Sequence, residues 1–535
     1  MPKGYIAIVL HAHLPYVRHP EYENFLEELW FYEAMAETYL PLLRVISRLE
    51  DDGVGYKLLL SLSPTLVSMM EDRLLQERFV RHLGKVIRLA DREGNRHPAG
   101  SDRRRLAEFH GDFYRDALFW FEDKCRRRVV RAFAELTRFG NLDLITCGAT
   151  HAFLPILRQN PAAVRAQLLA AHDYHRSVFG QRSEGIWLPE CAYYPGLEKT
   201  LAETGYAYTL LDTHGVMNAD RLPEHGVYAP ICCREGVAFF GRDPETGHQV
   251  WSAERGYPGH PDYREFYRDL GFELPEADLS EFIVVSNVRV NTGLKFYRIT
   301  SRHGGEKALY NPDVAREQAA RHAENFLTNR VRQVERLAKS MPDRPPFIVA
   351  PYDAELFGHW WFEGPQFLDF VFRKMHYDQH TVKCLTPAEY LRLFPENQFA
   401  NPAGSSWGGD GTYEFWINAA NQDLIPPLHQ AADRLSDVLN RLPAKEELEG
   451  SREEEVLRQM LRELMLAEAS DWPFIMRTGT SPEYAKKRVQ DHLNRFWVLD
   501  AMLREGQIDE RIFKAIRQAD NIFPDCDLRW YGNRA

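Results

Sequence analysis

Two acidic residues stand where short apolar segments end, and a proline shortly precedes each of them. Glu190 lies in Gly-Ile-Trp-Leu-Pro-Glu-Cys, and Asp353 lies in Ala-Pro-Tyr-Asp-Ala-Glu-Leu-Phe. Proline removes a backbone donor and fixes its own φ, so a strand is expected to stop there and present the carboxylate. Two carboxylates in one cleft can cleave a glycosidic bond: one attacks the anomeric carbon and the other, with a raised pKa, protonates the leaving oxygen. Taken singly, each acid is more often a structural residue that caps the next helix than a catalytic one, but the joint placement of both favours catalysis.

Three histidines also lie in or soon after short apolar segments. His11 and His13 alternate along an apolar segment, so both imidazoles are expected on the same side of a strand, and His151 follows another such segment. Three histidines could hold zinc and leave one position open for water. They could instead hydrogen-bond sugar hydroxyls and stabilise the charged carboxylates. A third interpretation is that they are buried histidines satisfied by their neighbours, and the pattern leaves all three open.

Aromatic residues lie close to these groups in the sequence. Trp360 and Trp361 follow Asp353, and Trp407 and Trp416 lie in or beside a segment rich in Gly, Ser and Asn. We expect their faces to stack on the apolar faces of sugar rings, although Trp407 could also anchor a core. By itself, Asp471 in Glu-Ala-Ser-Asp-Trp-Pro-Phe is typical of a turn at a helix terminus.

The elements that must position these groups are short apolar segments alternating with helical patterns through about 400 residues. The predicted strands are residues 5–10, 56–62, 142–146, 185–188, 206–211, 282–288 and 347–350. Parallel strands with helical crossovers bring their carboxyl ends to one face, so distant residues can share one pocket. This predicts an α/β fold in which the strands form a closed or nearly closed barrel.

Three units are predicted along the chain. Residues 1–400 form the catalytic barrel, and residues 192–258 form a subdomain inserted over its mouth, because dense turn signals surround the short segment 237–240. Residues 401–535 form a helical C-terminal domain, with helices predicted at 422–442 and 453–469. The alternative is that these are ordinary barrel helices.

Composition excludes several classes of protein. The formal charge is −11, from 66 basic and 77 acidic residues, and no long basic segment indicates nucleic acid or an anionic membrane as a partner. The N-terminus is interpreted as a first strand, not a signal peptide, and no apolar stretch approaches the ~20 residues needed to span a bilayer. Seven cysteines without a CxxC pair argue against a disulfide framework and a zinc ribbon, and predict a cytoplasmic protein.

At five places the sequence resembles glycoside hydrolase family 57, and within it the branching-enzyme and glucanotransferase group. The matching segments, in order, are His11-Ala-His-Leu-Pro, Gly148-Ala-Thr-His-Ala-Phe-Leu-Pro, Trp187-Leu-Pro-Glu-Cys, Ala350-Pro-Tyr-Asp-Ala-Glu-Leu-Phe-Gly-His and Ala467-Glu-Ala-Ser-Asp-Trp-Pro. The resemblance spans essentially the whole chain. It implies a (β/α)7 barrel with an inserted subdomain and an all-helical C-terminal domain.

The resemblance also implies metal-independent, retaining chemistry on α-1,4-glucans with no cofactor. Glu190 would be the nucleophile and Asp353 the general acid/base. The substrate contacts implied by the resemblance, together with the stacking expected of Trp360, give the predicted substrate-binding set: His11, His13, His151, Arg264, Gly293, Trp360, Trp407 and Asp471.

Two features depart from branching enzymes of this family. These are expected to carry a long loop with a tyrosine near its tip that closes over the acceptor, whereas residues 229–236 are short and contain no tyrosine. Phe272 stands where similar sequences often have a tryptophan. Both departures bear on the choice between a sugar hydroxyl and water as acceptor.

Several functions therefore stay open. The leading hypothesis is a 1,4-α-glucan branching enzyme, and the alternative within the same fold is an α-amylase or a 4-α-glucanotransferase. A metal-dependent deacetylase or amidohydrolase is the hypothesis motivated by His11, His13 and His151. A non-catalytic glycan-binding protein ranks last, because binding alone does not require two strand-end carboxylates.

Overall fold

A computed structural model describes residues 2–252, 256–282, 288–301, 305–441 and 449–531, and ten strands in it form one sheet. The strands are β1 Gly4–Ala12, β2 Leu58–Leu62, β3 Leu142–Cys147, β4 Gly185–Trp187, β5 Tyr208–Leu211, β6 Ile231–Cys232, β7 Ala238–Gly241, β8 Phe347–Asp353, β9 Val382–Cys384 and β10 Gln398–Phe399. Seven of them are parallel neighbours in the order β8-β1-β2-β3-β4-β5-β7.

The seven parallel strands curve until their outer members meet. Asp243, just beyond β7, donates its backbone N–H to the carbonyl of Val349 in β8 at 2.8 Å. This contact brings the two outer strands together, and the predicted (β/α)7 fold with a helical C-terminal region is confirmed.

Helices surround this sheet and form the C-terminal region. They are α1 Glu28–Ala34, α2 Leu40–Asp51, α3 Pro64–Glu71, α4 Arg73–Arg96, α5 Asp102–Phe119, α6 Val129–Leu136, α7 Leu154–Leu157, α8 Pro161–Phe179, α9 Leu197–Glu203, α10 Thr213–Met217, α11 Pro244–Trp251, α12 Pro312–Ser340, α13 Gly364–Tyr377, α14 Pro387–Leu393, α15 Ile425–Asn440, α16 Arg452–Ala467, α17 Asp471–Thr478, α18 Pro482–Glu505 and α19 Glu510–Ala519. Within the described ranges, no helix is both long and apolar enough to cross a membrane.

The central strands β1, β2 and β8 are mostly apolar, as expected for strands whose two faces are both buried. In β1, Ile6, Ile8 and Leu10 pack under the surrounding helices, whereas Ala7 and Val9 belong to a separate cluster inside the barrel. Side chains alternate along a strand, so His11 has the inward parity of Ala7 and Val9. The fold therefore directs His11 into the barrel at its carboxyl end.

The C-terminal helices dock on the same end of the barrel. Ser470 donates its backbone N–H to the carbonyl of His151 at 2.9 Å, and Ala469 forms an isolated bridge with Ala152. Helices α15 and α16 lie within three residues of the predicted boundaries. This docking brings the segment around Asp471 to the barrel mouth.

The region predicted as an insertion differs in part from the expectation. Strands β5 and β7 both lie inside 192–258, and the segment predicted there as an inserted β-like run is the barrel strand β7. The predicted segment 237–240 is only four residues long and is bounded by turns. It is too short to show a periodicity of apolar residues that would predict pairing with β5. The exact domain boundaries stay predictions, and most of the predicted strand 282–288 lies outside the described residues.

Residues 229–236 do not lie over the mouth. They contain β6, which pairs antiparallel with β7, and the hairpin turn precedes β7 at its amino end. The carbonyl of Tyr228 accepts the backbone N–H of Phe347 at the start of β8, on that same side. The sequence interpretation of this segment as a shortened loop over the acceptor is therefore wrong.

Candidate active site

Glu190 directly follows the short strand β4 in a single 3-10 turn. Its backbone has φ 62° and ψ 21°, in the left-handed region that non-glycine residues seldom occupy. The backbone N–H of Trp407 holds the Glu190 carbonyl at 2.8 Å. The side chain is also held: the Trp407 indole N–H donates to Oε2 at 2.9 Å, and the Ser470 hydroxyl donates to Oε1 at 2.8 Å.

A chain of hydrogen bonds leads from β2 to Glu190. Its contacts are Ser61 Oγ to His11 Nδ1 at 3.1 Å, His11 Nε2 to His151 Nε2 at 3.0 Å, and His151 Nδ1 to Ser470 Oγ at 2.8 Å. An ionised Glu190 can only accept, so Ser470 donates to it and must accept from His151. The tautomers follow: His151 carries its proton on Nδ1, and His11 carries its proton on Nε2.

Burial keeps these imidazoles neutral. The pKa values of His11 and His151 both lie well below the usual range, first because the rings are buried and then because neighbouring histidines would repel a second positive charge. The series of hydrogen bonds from Ser61 to Glu190 therefore runs in one direction, and neither imidazole ring carries a net charge.

His13 belongs to a second set of contacts. Its Nε2 lies 3.2 Å from both carboxylate oxygens of Asp471, and its Nδ1 lies 2.9 Å from Ser63 Oγ. Its backbone N–H donates to Glu355 at 3.1 Å, and Tyr39 also donates to Glu355. Asp471 is thus a partner of His13, which a helix-terminus turn alone would not predict.

Asp353 ends β8 in register with His11 of β1 and has the inward parity of Val349. Its pKa lies well above the usual range for an aspartate. Burial is the main cause, followed by repulsion from Glu355 and Glu190, while Arg242 opposes the shift. Burial also raises the pKa of Glu190, but its two hydrogen-bond donors favour the charged form. The two carboxyl groups thus differ in environment, as a nucleophile and an acid require.

The remaining predicted residues form one wall beside this centre. Arg264 lies 3.2 Å from Glu37, whose other carboxylate oxygen lies 2.8 Å from the His359 ring. Gly293 reaches the same group, because Tyr114 lies within hydrogen-bonding distance of both its carbonyl and Glu37. Arg264 and Gly293 are buried, and their predicted contact with substrate stays a prediction.

The four predicted aromatic platforms divide into two pairs. Trp360 is 52% exposed and packs on Phe266 with ring centroids 4.3 Å apart. Trp407 is partly buried against Glu190. Trp361 and Trp416 are each only 1% exposed, so the prediction that these two stack on sugars is wrong. Both are core residues of the surrounding walls.

Metal-ligand groups at the centre differ from the predicted set. In the described chain, two groups here bring ligand atoms within 4.8 Å of one another: His11, Cys147 and His151, and His13, His151 and Asp471. Neither group contains all three histidines. The three ring nitrogens therefore do not all lie within 4.8 Å of one another, and the predicted three-histidine set is not one of these groups.

Sequence reasoning missed three residues of this site. Ser470 contacts the nucleophile candidate, and Glu355 and Arg242 act on the pKa of Asp353. Ser470 and Glu355 both lie inside segments that match the family motifs, which was a usable signal. Arg242 directly follows β7. Because β7 was not predicted as a barrel strand, Arg242 was not recognised as a residue at a strand end.

Comparisons with known proteins identify the family of the chain. The model of glycosyl hydrolase family 57 matches residues 7–402, and that of the C-terminal region of 1,4-α-glucan branching enzymes matches residues 427–531. A 1,4-α-glucan branching enzyme of Thermococcus kodakarensis is 32% identical over 97% of this chain and 77% of its own length.

Solved structures give the same result for the fold. The α-amylase AmyC of Thermotoga maritima has a TM-score of 0.91 at 40% identity, covering 100% of both chains. The branching enzyme of Pyrococcus horikoshii has a TM-score of 0.87 at 30% identity, covering 100% of this chain and 97% of its own. The family match spans most of the chain and includes both strand-end carboxylates, so this protein belongs to glycosyl hydrolase family 57.

Proposed function

We propose that the protein is a 1,4-α-glucan branching enzyme that works with retention of configuration. Glu190 attacks the anomeric carbon of an α-1,4 bond, while Asp353 gives its proton to the leaving oxygen. Asp353 then removes the proton from the 6-hydroxyl of an acceptor chain, which displaces Glu190 and forms an α-1,6 branch. The two carboxyl groups of such an enzyme are expected about 5–5.5 Å apart.

The observation that carries this proposal is the unlike environment of the two acids. Glu190 accepts two hydrogen bonds from neutral donors, which favours its ionised, nucleophilic form. Asp353 is buried and repelled by two carboxylates, which raises its pKa and favours its protonated form. This division of labour requires no metal or cofactor.

The substrate-binding roles follow from the arrangement of the walls. We assign His11, His13, His151, Trp407 and Asp471 to the sugar ring at the centre, because all are linked to Glu190 or to one another. Trp360 offers its exposed face farther along the cleft. Arg264 and Gly293 contribute to binding through the buried wall that carries Trp360.

An α-amylase is the second candidate. It is favoured by the 40% identity to AmyC, whereas the branching enzymes compared above are 30–32% identical. The short segment 229–236 no longer supports it, since that hairpin lies at the amino ends of the strands. The match of residues 427–531 to the C-terminal region of branching enzymes supports transfer.

Amylose incubation separates the two candidates. We expect α-1,6 linkages, counted by proton NMR, to appear with few new reducing ends. A rise in reducing ends without branches would reject branching in favour of hydrolysis. Activity that is lost on chelation and restored by zinc would reject the carboxylate mechanism and favour the deacetylase hypothesis.

The proposed location is the cytoplasm. Seven cysteines are present and none forms a disulfide, which suits a reducing compartment. Cell fractionation with an antibody against the protein tests this location.

A further inference from the structure

Trp251 is an exposed aromatic residue close to the catalytic pair. It ends α11 and is 40% exposed, although it lies against Trp407 with ring centroids 5.7 Å apart and an interplanar angle of 41°. Trp407 in turn donates its indole N–H to Glu190. A single ring therefore separates Trp251 from the proposed nucleophile.

Arg242 fixes this corner of the cleft. Its guanidinium lies 5.8 Å from the centroid of the Trp251 ring and 5.9 Å from that of Trp407, within the range of cation–π attraction. An ion pair with Asp212, at 3.3 Å, holds the guanidinium in place. Only one of its five N–H groups is used in that hydrogen bond. Arg242 can therefore orient the Trp251 ring and still has N–H groups that Asp212 does not use.

The distribution of tryptophans points to the same place. All eleven tryptophans of the chain lie in the described ranges, and only Trp251 and Trp360 have more than a third of their surface exposed. Both follow neighbouring strands of the closed barrel, β7 and β8, at the carboxyl ends. Exposing so large an apolar face beside a cleft costs free energy unless a ligand covers it.

We propose that Trp251 is a stacking platform for a glucosyl ring that flanks the bond to be cleaved, and that Arg242 positions it. This rests on the proposed function, because an α-glucan supplies the ligand. One face of a pyranose is lined by C–H groups and covers an aromatic ring, while its rim of hydroxyls reaches donors such as those of Arg242.

Calorimetric titration with maltohexaose tests the platform. The Glu190→Gln variant, which binds without turnover, is compared with Glu190→Gln/Trp251→Ala and Glu190→Gln/Trp251→Phe. We expect Trp251→Ala to raise the Kd for maltohexaose about tenfold, equivalent to ~1.4 kcal/mol of binding free energy. Trp251→Phe should bind with most of the affinity of the parent Glu190→Gln variant. Phe139→Ala is the matched control, since Phe139 is 63% exposed and precedes β3 at the other end of the barrel.

Steady-state kinetics on amylose then distinguishes a loss of substrate binding from a general loss of folded structure. With Glu190 intact, Trp251→Ala should raise KM while kcat changes less than threefold; Trp251→Gln serves in its place if the alanine variant is poorly folded by circular dichroism. Unchanged Kd and KM in a folded variant would overturn the platform. Failure of Glu190→Gln itself to bind maltohexaose would instead reject the α-glucan substrate, and the platform with it.

Discussion

The side chains around Glu190 are polarised in one direction, from Ser61 through His11, His151 and Ser470 to the carboxylate. Each member accepts from the one before it, so removing one partner leaves a buried group without its hydrogen bond. Two serines and two neutral histidines therefore hold the Glu190 carboxylate. Three predictions concern single residues of this site.

Glu190→Ala is expected to reduce turnover on amylose by roughly 10³-fold or more, because the covalent step has no nucleophile. Folding should be retained, as judged by thermal denaturation. Glu184→Gln is the control: Glu184 precedes the same strand at its amino end and is exposed. Turnover by Glu190→Ala equal to that of the control would refute the assignment.

Glu355→Gln should move the basic limb of the kcat/KM profile to lower pH. The Glu355 carboxylate raises the pKa of Asp353, so its removal lowers that pKa, and Asp353 then loses its catalytic proton at lower pH. Glu335→Gln, on the exposed surface of α12, should leave the profile unchanged. If the basic limb of the Glu355→Gln profile stays at the pH of the parent enzyme, Glu355 does not raise the pKa of Asp353.

Ser470→Ala should lower kcat roughly 10- to 100-fold, since Glu190 loses one buried donor worth about 1–3 kcal/mol. The hydrogen bond from Ser470 lowers the pKa of Glu190, so its loss should shift the acidic limb to higher pH. Ser177→Ala, which alters an exposed serine of α8, is the comparison. An unaltered acidic limb would contradict the hydrogen-bond chain.

At the scale of elements, the site is built from the carboxyl ends of neighbouring strands. Inward parity in β1 and β8 directs His11 and Asp353 toward the same axis, and the left-handed turn after β4 presents Glu190. The alternation of apolar segments with helical patterns predicted six of these strands, including the three-residue β4, and placed both acids at strand ends. β7, with four residues between turns, could be assigned only by its pairing with β5.

Close packing of the segment after β8 against the helical turn that joins α1 to α2 supports one prediction. Gly358 has φ +125°, and a Cβ there would lie 1.8 Å from the carbonyl oxygen of Glu37. Gly358→Ala should therefore cost at least about 2 kcal/mol in the free energy of unfolding and reduce activity. Gly53 also has positive φ but nothing within 4 Å, so Gly53→Ala isolates the backbone strain. If Gly358→Ala and Gly53→Ala lose the same free energy of unfolding in urea denaturation, the structure relieves the contact between the new Cβ and the Glu37 carbonyl.

At the scale of the whole molecule, the C-terminal helical region completes the candidate active site. Ser470 and Asp471 come from it and contact Glu190 and His13, which belong to the barrel. The family resemblance placed Asp471 at the substrate, but the sequence contained no signal that its partner is His13. We therefore expect catalysis to require that the C-terminal helices stay docked on the barrel.

Asp471→Asn tests this dependence. The variant keeps the volume of the side chain but removes the negative charge of Asp471 and one of the two carboxylate oxygens that lie 3.2 Å from His13 Nε2. We expect faster hydrogen exchange in residues 148–152 and 467–473 and a fall in kcat of roughly tenfold. Asp437→Asn, exposed on α15 of the same domain, should change neither. Unchanged exchange in both segments would show that the contact between Asp471 and His13 does not hold the C-terminal helices on the barrel.

The sequence by itself determined the alternation of strands and helices, the placement of Glu190 and Asp353 at strand ends, and the family, because these depend on local patterns and on short motifs. The tertiary structure alone decided the hydrogen bonds to Glu190, the burial of Trp361 and Trp416, and the position of residues 229–236 at the amino ends of the strands. Those features join residues far apart in the chain, such as Glu190 and Ser470, and solvent exposure and pKa depend on what packs around a side chain.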